Sequence, residues 1–179
     1  MKKFLLIFCI ILGISFFVTG CLPNIKETST LEAIQKRDKL IVGVRHDFKP
    51  FGFKEGQKFK GYDVDLAKEM AKSILGDENK LELVEVDAAN RIMALTSNEV
   101  DMLIAAITVN AQRKRILDFS TPYFMTGQAL MIKKGTKIRS IADLDKKFVG
   151  VVLGTTSELN LRSFAPTAKV KGVKTYQEL

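Results

Sequence analysis

The stretch GYDVDLAKEMAKSILG, residues 61–76, decides how the rest of the chain is read. Its apolar positions Val64, Ala67, Met70, Ala71 and Ile74 recur at helical spacing, so one face is suited to packing. Asp63 and Asp65 fall in the first turn, where the helix dipole favours anions, and Gly76 suits the position just past the end. Apolar runs flank this helix. KLIVGV (39–44) is dense in β-branched residues and KLELVEV (80–86) alternates, so both predict strands. AANRIMALTSNEV (88–100) predicts a second helix with Ile92, Leu95 and Val100 turned inward, and DMLIAAI (101–107) predicts a third strand. Strand, helix, strand, helix, strand implies right-handed crossovers and a parallel sheet covered on both faces.

Outward from this block the pattern continues. TLEAIQKRD (30–38) predicts a short helix with Thr30 as N-cap, and RHDFKPFGF (45–53) reads as a loop. QALMIKKGTK (128–137) is an amphipathic extended piece. SIADL (140–144) predicts a short helix capped by Ser140, KFVGVVLG (147–154) a strand, TTSELNLRSF (155–164) a helix and KVKGV (169–173) a strand. YQEL (176–179) reads as the first turn of another helix. A second α/β unit therefore begins near residue 130, and the expectation is that it is incomplete.

The first residues address compartment. MKK (1–3) is a short positive region, FLLIFCIILGISFFV (4–18) is an apolar core, and the run ends VTGC (18–21). This is the layout of an export signal, and the apolar run is shorter than the roughly twenty residues a spanning helix needs. The small-small-Cys ending resembles a bacterial lipobox, which implies cleavage before Cys21 and lipid on that thiol. LPNIKETS (22–29) then reads as a tether. Cys9 lies inside the apolar core, so neither cysteine is left for a disulfide, a metal or a nucleophile.

Composition narrows the function classes. The 179 residues carry a formal charge of +8, with 46% hydrophobic and 27% charged residues, as in a globular chain. The basic residues are scattered, and neither zinc-finger spacing nor an RNA-binding signature is present, so no nucleic-acid partner is expected. His46 is the single histidine. No catalytic triad, phosphate loop or metal cluster can be assembled, and the expectation is a protein that is not an enzyme and holds no cofactor or metal.

Binding chemistry fares better. Ligands of open parallel sheets sit beyond the carboxyl ends of the strands. Arg45 and Phe48 follow the first strand, Thr108 and Arg113 the third, and Gly154, Thr155 and Thr156 the later one. Asn110 is a suitable N-cap for a turn carrying Arg113. There a carboxylate could meet backbone N–H groups, a hydroxyl and a guanidinium together. By position alone Arg113 fits equally a solvated surface charge.

GYDVDLAKEMAK (61–72) and ITVNAQRKRILDFSTPYF (107–124) resemble the signature segments of the family 3 solute-binding proteins, the amino-acid receptors of ABC importers. The resemblance implies a periplasmic-binding-protein type II-like α/β fold, with two lobes joined by a hinge and closing on a ligand. It divides the chain into a signal peptide (1–20), a lipidated tether (21–30), lobe 1 (31–126), a hinge strand (127–133) and a partial lobe 2 (134–179). It also implies that the chain stops before the acidic residue that holds a ligand's amino group. Thr108 and Arg113 would bind the α-carboxylate, Ala106 would offer backbone contacts, Phe48 would pack on the ligand and Thr156 would add a contact. Lys114 and Arg115 match no ligand position and read as solvated. Arg45, together with Arg91 in an Asn-Arg pair, resembles the arrangement in glutamate and aspartate receptors, so an acidic amino acid is the expected ligand. Related cysteine receptors carry the same Asn-Arg pair. The implied partners are ABC permease subunits and, through Cys21, the outer face of a membrane, with the protein a monomer. Other readings are a polar or cysteine-type receptor, or the non-catalytic N-terminal piece of an enzyme or sensor of the same fold.

Overall fold

A computed structural model describes residues 29–179; the segment expected to be a signal peptide and Cys21 lie outside the described residues. Helix α1 spans Thr30–Arg37 and strand β1 Leu40–Arg45. Three short strands follow, β2 (Asp47–Phe48), β3 (Gly52–Glu55) and β4 (Lys58–Lys60). Helix α2 (Tyr62–Leu75), β5 (Leu81–Val86), α3 (Arg91–Thr96) and β6 (Met102–Ile104) complete the first unit. The second contains β7 (Phe148–Val152), α4 (Thr156–Phe164) and β8 (Lys169–Val173).

The first unit is built on a parallel sheet of order β5-β1-β6. Leu40 is registered with Leu81 and Val42 with Met102, so β1 is central and its side chains are covered on both faces. Leu40, Val42, Val44 and Ile104 pack with Ala67 and Ala71 of α2 and Ile34 of α1. On the opposite face Val86, Val100 and Ala105 pack with Ala94 of α3. Gly43 permits the close strand approach, since a Cβ there would stand 2.7 Å from the Leu103 side chain.

Several elements differ from expectation. The N-cap of α1 is Ser29 rather than Thr30: the Ser29 Oγ accepts from the Glu32 N–H and the Glu32 carboxylate accepts from the Ser29 N–H. Helix α3 is six residues, shorter than the run 88–100 suggests. Asp87 ends the strand by accepting from the N–H groups of Ala89 and Asn90, which holds those residues in a turn. β6 ends at Ile104 rather than Ile107. The segment read as a loop after β1 forms an antiparallel β2-β3-β4 sheet, with Gly56 in the left-handed region at the β3-β4 turn. Residues 176–179 are not helical. Residues 127–133, expected as a hinge strand, pair with no strand among the described residues.

β7 and β8 form a parallel pair, Phe148 opposite Lys169, and α4 closes one face through Leu144, Val151, Leu161 and Ala165. The two units meet where the loop after β7 approaches the turn before α3. Gly154 has φ 74°, and a Cβ there would lie 2.6 Å from the Ala88 carbonyl oxygen. Only glycine tolerates both that conformation and that approach.

Candidate functional site

The site lies at the carboxyl ends of β1, β6 and β7, and the backbone after β6 sets its shape. Ala106 occupies the left-handed region at φ 48°. That conformation disfavours a side chain and is held from outside. Arg91 supplies the hold: its Nη1 donates to the carbonyls of Ala105 (2.6 Å) and Ala106 (3.1 Å). Burial, reinforced by Arg113 and Arg45 nearby, lowers the Arg91 pKa to about 10, which leaves it charged at neutral pH. Arg91 was expected to serve a ligand carboxylate, but two of its donors are already committed to the backbone of the site.

Arg113 sits in a single 3-10 turn, Arg113–Arg115. Gln112 rather than Asn110 is the N-cap of that turn, though the Asn110 Oδ1 accepts from the Arg113 N–H at 2.8 Å. The Arg113 side chain turns back into the fold. Its Nη1 donates to the Thr108 carbonyl at 2.8 Å, and its Nη2 to the Gly154 carbonyl across the cleft at 3.3 Å. Arg113 is 7% exposed, and burial lowers its pKa. Lys114 and Arg115 are both exposed. A guanidinium carries five N–H donors, so these two bonds leave three for a ligand.

Thr108 and Thr156 face each other, their hydroxyls 3.3 Å apart. Thr156 also accepts from the Gln128 Nε2 at 3.0 Å, and Gln128 is held in turn by Asn160. Thr155, not Thr156, caps α4, accepting from the Glu158 N–H. The Thr156 hydroxyl is thereby left to the cleft. Sequence reasoning missed Gln128, which carries no motif.

Phe48 and Arg45 form the remaining wall. Arg45 was expected to meet a ligand carboxylate, and in the structure it is already paired with a carboxylate of the chain. Its Nε donates to Asp47 Oδ1 at 2.7 Å, and its Nη2 lies 2.5 Å from the same oxygen. The other Asp47 oxygen accepts from the Tyr176 N–H at 3.1 Å. The Tyr176 ring lies 4.7 Å from that of Phe48, and the Arg45 guanidinium lies 5.8 Å and 5.7 Å from the two rings. Its place after the first strand and the family resemblance had singled out Arg45. Asp47, two residues on and on the same side of an extended chain, was a signal that could have been read.

Asp63 lies in the first turn of α2 as expected, but it is fully buried while Asp65 is exposed. Its Oδ1 accepts from the Tyr123 hydroxyl at 3.1 Å. Burial raises its pKa to about 6, against the pull of Tyr123, the Ala106 backbone and Arg45.

Among the described residues no group of three or more His, Cys, Asp or Glu side chains could hold a metal ion, and no helix is long and apolar enough to cross a membrane. A surface depression lined by Val109, Leu117 and Pro122 among others shares none of its lining with Arg45, Phe48, Thr108, Arg113 or Thr156.

The arrangement is therefore a set of hydrogen-bond donors and one aromatic wall converging on a cleft between two α/β units. Known proteins resemble the chain as a whole. The chain is 48% identical over 154 residues to a glutamine-binding protein of Geobacillus stearothermophilus, covering 84% of this chain and 59% of that protein. It is 42% identical over 152 residues to the ABC transporter glutamine-binding protein GlnH of Bacillus subtilis (strain 168), covering 83% of this chain and 56% of that protein. The chain thus spans less than two thirds of the length of both. Among solved structures, an ancestral amino acid-binding protein described as a precursor of cyclohexadienyl dehydratase superposes with TM-score 0.77 at 40% identity. That match covers 84% of this chain and 67% of that one, and confirms the type II periplasmic-binding-protein fold with a partial second lobe. Residues 40–175 match the family model itself, and the chain belongs to the bacterial extracellular solute-binding proteins, family 3.

Proposed function

We propose that the chain is the ligand-binding part of an amino-acid importer and that its ligand is a neutral polar amino acid, glutamine being the reference. The observation that carries this reading is the convergence of Arg113, Thr108 and Thr156 from both units on one cleft. In this reading the ligand α-carboxylate takes the remaining Arg113 donors and the Thr108 hydroxyl, with the Ala106 peptide beside it and Phe48 covering the ligand. The acidic ligand expected from sequence rested on Arg45 and Arg91; Arg45 is already paired with the Asp47 carboxylate, whereas Arg91 donates to backbone carbonyls and keeps its charge. A paired Arg45 still presents N–H groups without net charge, which suits a side-chain carbonyl better than a carboxylate. The names of the two relatives point the same way. Glutamate or aspartate remains the second reading, favoured by the number of arginines around the cleft. The lipid on Cys21, the extracytoplasmic location, the permease partner and the monomeric state belong to the same proposal. Lobe closure is its only activity.

Calorimetry on the chain from residue 22 tests the reading. Glutamine is expected to bind at least tenfold more tightly than glutamate. Equal or tighter glutamate binding restores the acidic reading, and no heat with any amino acid overturns the receptor reading altogether. Arg113→Ala should lower affinity by two orders of magnitude or more, since a charge-assisted pair to a partly buried carboxylate is worth about 3 kcal/mol. Lys114→Ala should leave it within about twofold, as exposed charges contribute little.

A further inference from the structure

We propose that Asp47 is the residue that selects the ligand's side-chain charge, acting through Arg45 rather than by touching the ligand. The inference rests on the receptor reading above and deepens it.

The Asp47 side chain is fully buried and that of Arg45 is 2% exposed, so the pair is closed off from solvent. Both Asp47 oxygens are committed, one to Arg45 Nε and the other to the Tyr176 N–H. The Gln177 side chain adds a bond to the Asp47 carbonyl at 3.3 Å. Asp47 is thus fixed from the second unit as well as the first and cannot swing aside cheaply. A ligand carboxylate arriving at Arg45 would share that guanidinium with a carboxylate already 2.5 Å from it. In a poorly solvated cleft the like-charge repulsion is weakly screened. A neutral carbonyl accepts the remaining N–H groups without that repulsion. The pair leaves this wall of the cleft electrically neutral, and each half removed alone would leave the charge of the other.

Three variants and one chemical probe test this by calorimetry on the chain from residue 22. Asp47→Asn should raise glutamate affinity relative to glutamine at least tenfold. Arg45→Gln should raise lysine affinity relative to glutamine at least tenfold. The double variant should return both ratios to within about threefold of the wild type. A pair with only a structural role would weaken every ligand together and leave the ratios unchanged, which overturns the proposal. Should the single variants not fold, the wild type decides with glutamate γ-methyl ester, which keeps the side-chain carbonyl and lacks both charge and N–H. Binding within about threefold of glutamine, and at least tenfold tighter than glutamate, supports selection by charge. An ester as weak as glutamate shows that the amide N–H is read instead, and sinks the role of Asp47. If the wild type binds none of these ligands, the receptor reading itself falls and this inference with it.

Discussion

At the scale of single residues, the chain buries charge on two carboxylates and three guanidinium groups around one cleft, and Asp63 is the costly member. Its Oδ1 accepts from Tyr123, and its second oxygen has no partner among the described residues. Its pKa rises from 3.8 unfolded to about 6 folded. Below pH 3.8 both states are protonated and the group costs nothing; between 3.8 and 6 the unfolded state releases its proton first. Stability from this group is therefore fully present at low pH and is lost as pH rises through 6, by about 3 kcal/mol in total. Asp63→Asn keeps an acceptor for Tyr123 and removes the titration. Urea unfolding should find the variant more stable at pH 8, with the wild-type decline between pH 4 and 7 flattened. A wild-type slope in the variant would place the titration elsewhere. Much of this site was readable in advance, because register after β6 puts Thr108 and Arg113 at a strand end. What was not readable was pairing. The partner of Asp63 lies sixty residues away, and the second oxygen of Asp47 is met by a turn at residue 176. Sequence shows charges, whereas their neutralisation is a tertiary fact.

At the scale of elements, the aromatic segment after β1 and the start of α2 form one device. Helix N-termini leave unpaired N–H groups. Here Tyr62 N–H donates to the Pro50 carbonyl at 3.1 Å and Asp63 N–H to that of Phe51 at 2.9 Å. The loop that carries Phe48 is thereby fastened to the helix that carries Asp63. Gly61 makes the junction possible: its φ is 113°, and a Cβ there would stand 2.2 Å from the Phe51 carbonyl oxygen. Gly61→Ala should cost on the order of 3 kcal/mol. Gly56 also has positive φ but has nothing within 4 Å, so Gly56→Ala should cost only about 1 kcal/mol. Denaturant midpoints of the two variants check the contrast, and equal losses would mean the close approach is not tight. The helices and the long parallel strands were legible because burial imposes periodicity on them. The β2-β3-β4 sheet was not, because its strands are two to four residues long, too short to carry a repeating pattern. The short α3 was overread for a related reason: Val100 is buried by a turn after the helix, yet it fits the helical spacing.

At the scale of the whole molecule, the two units have unequal internal support. The first buries both faces of its sheet, against α1 and α2 on one side and α3 on the other. The second has two strands and one small cluster, and Phe148 at its edge is 77% exposed. Buried apolar area is the main favourable term in folding, so local opening should be cheaper in the second unit. Hydrogen exchange read by mass spectrometry should show β7 and β8 exchanging at least tenfold faster than β1 and β5. The contacts that join the units are few and mostly polar: Arg113 to Gly154, Thr108 to Thr156, Asp47 to Tyr176 and Gln177, and the Phe48 and Tyr176 rings. A ligand held by both units adds to these links, whereas one held by the first unit alone does not. Glutamine at a hundred times its Kd stabilises the bound form by about 2.7 kcal/mol. Under the proposed reading that gain should appear as roughly hundredfold slower exchange in β7, β8 and the loop at Gly154, with a smaller change in β1. Slowing confined to the first unit would mean that ligand binds without closure, and that the polar links between the units are not set by the ligand.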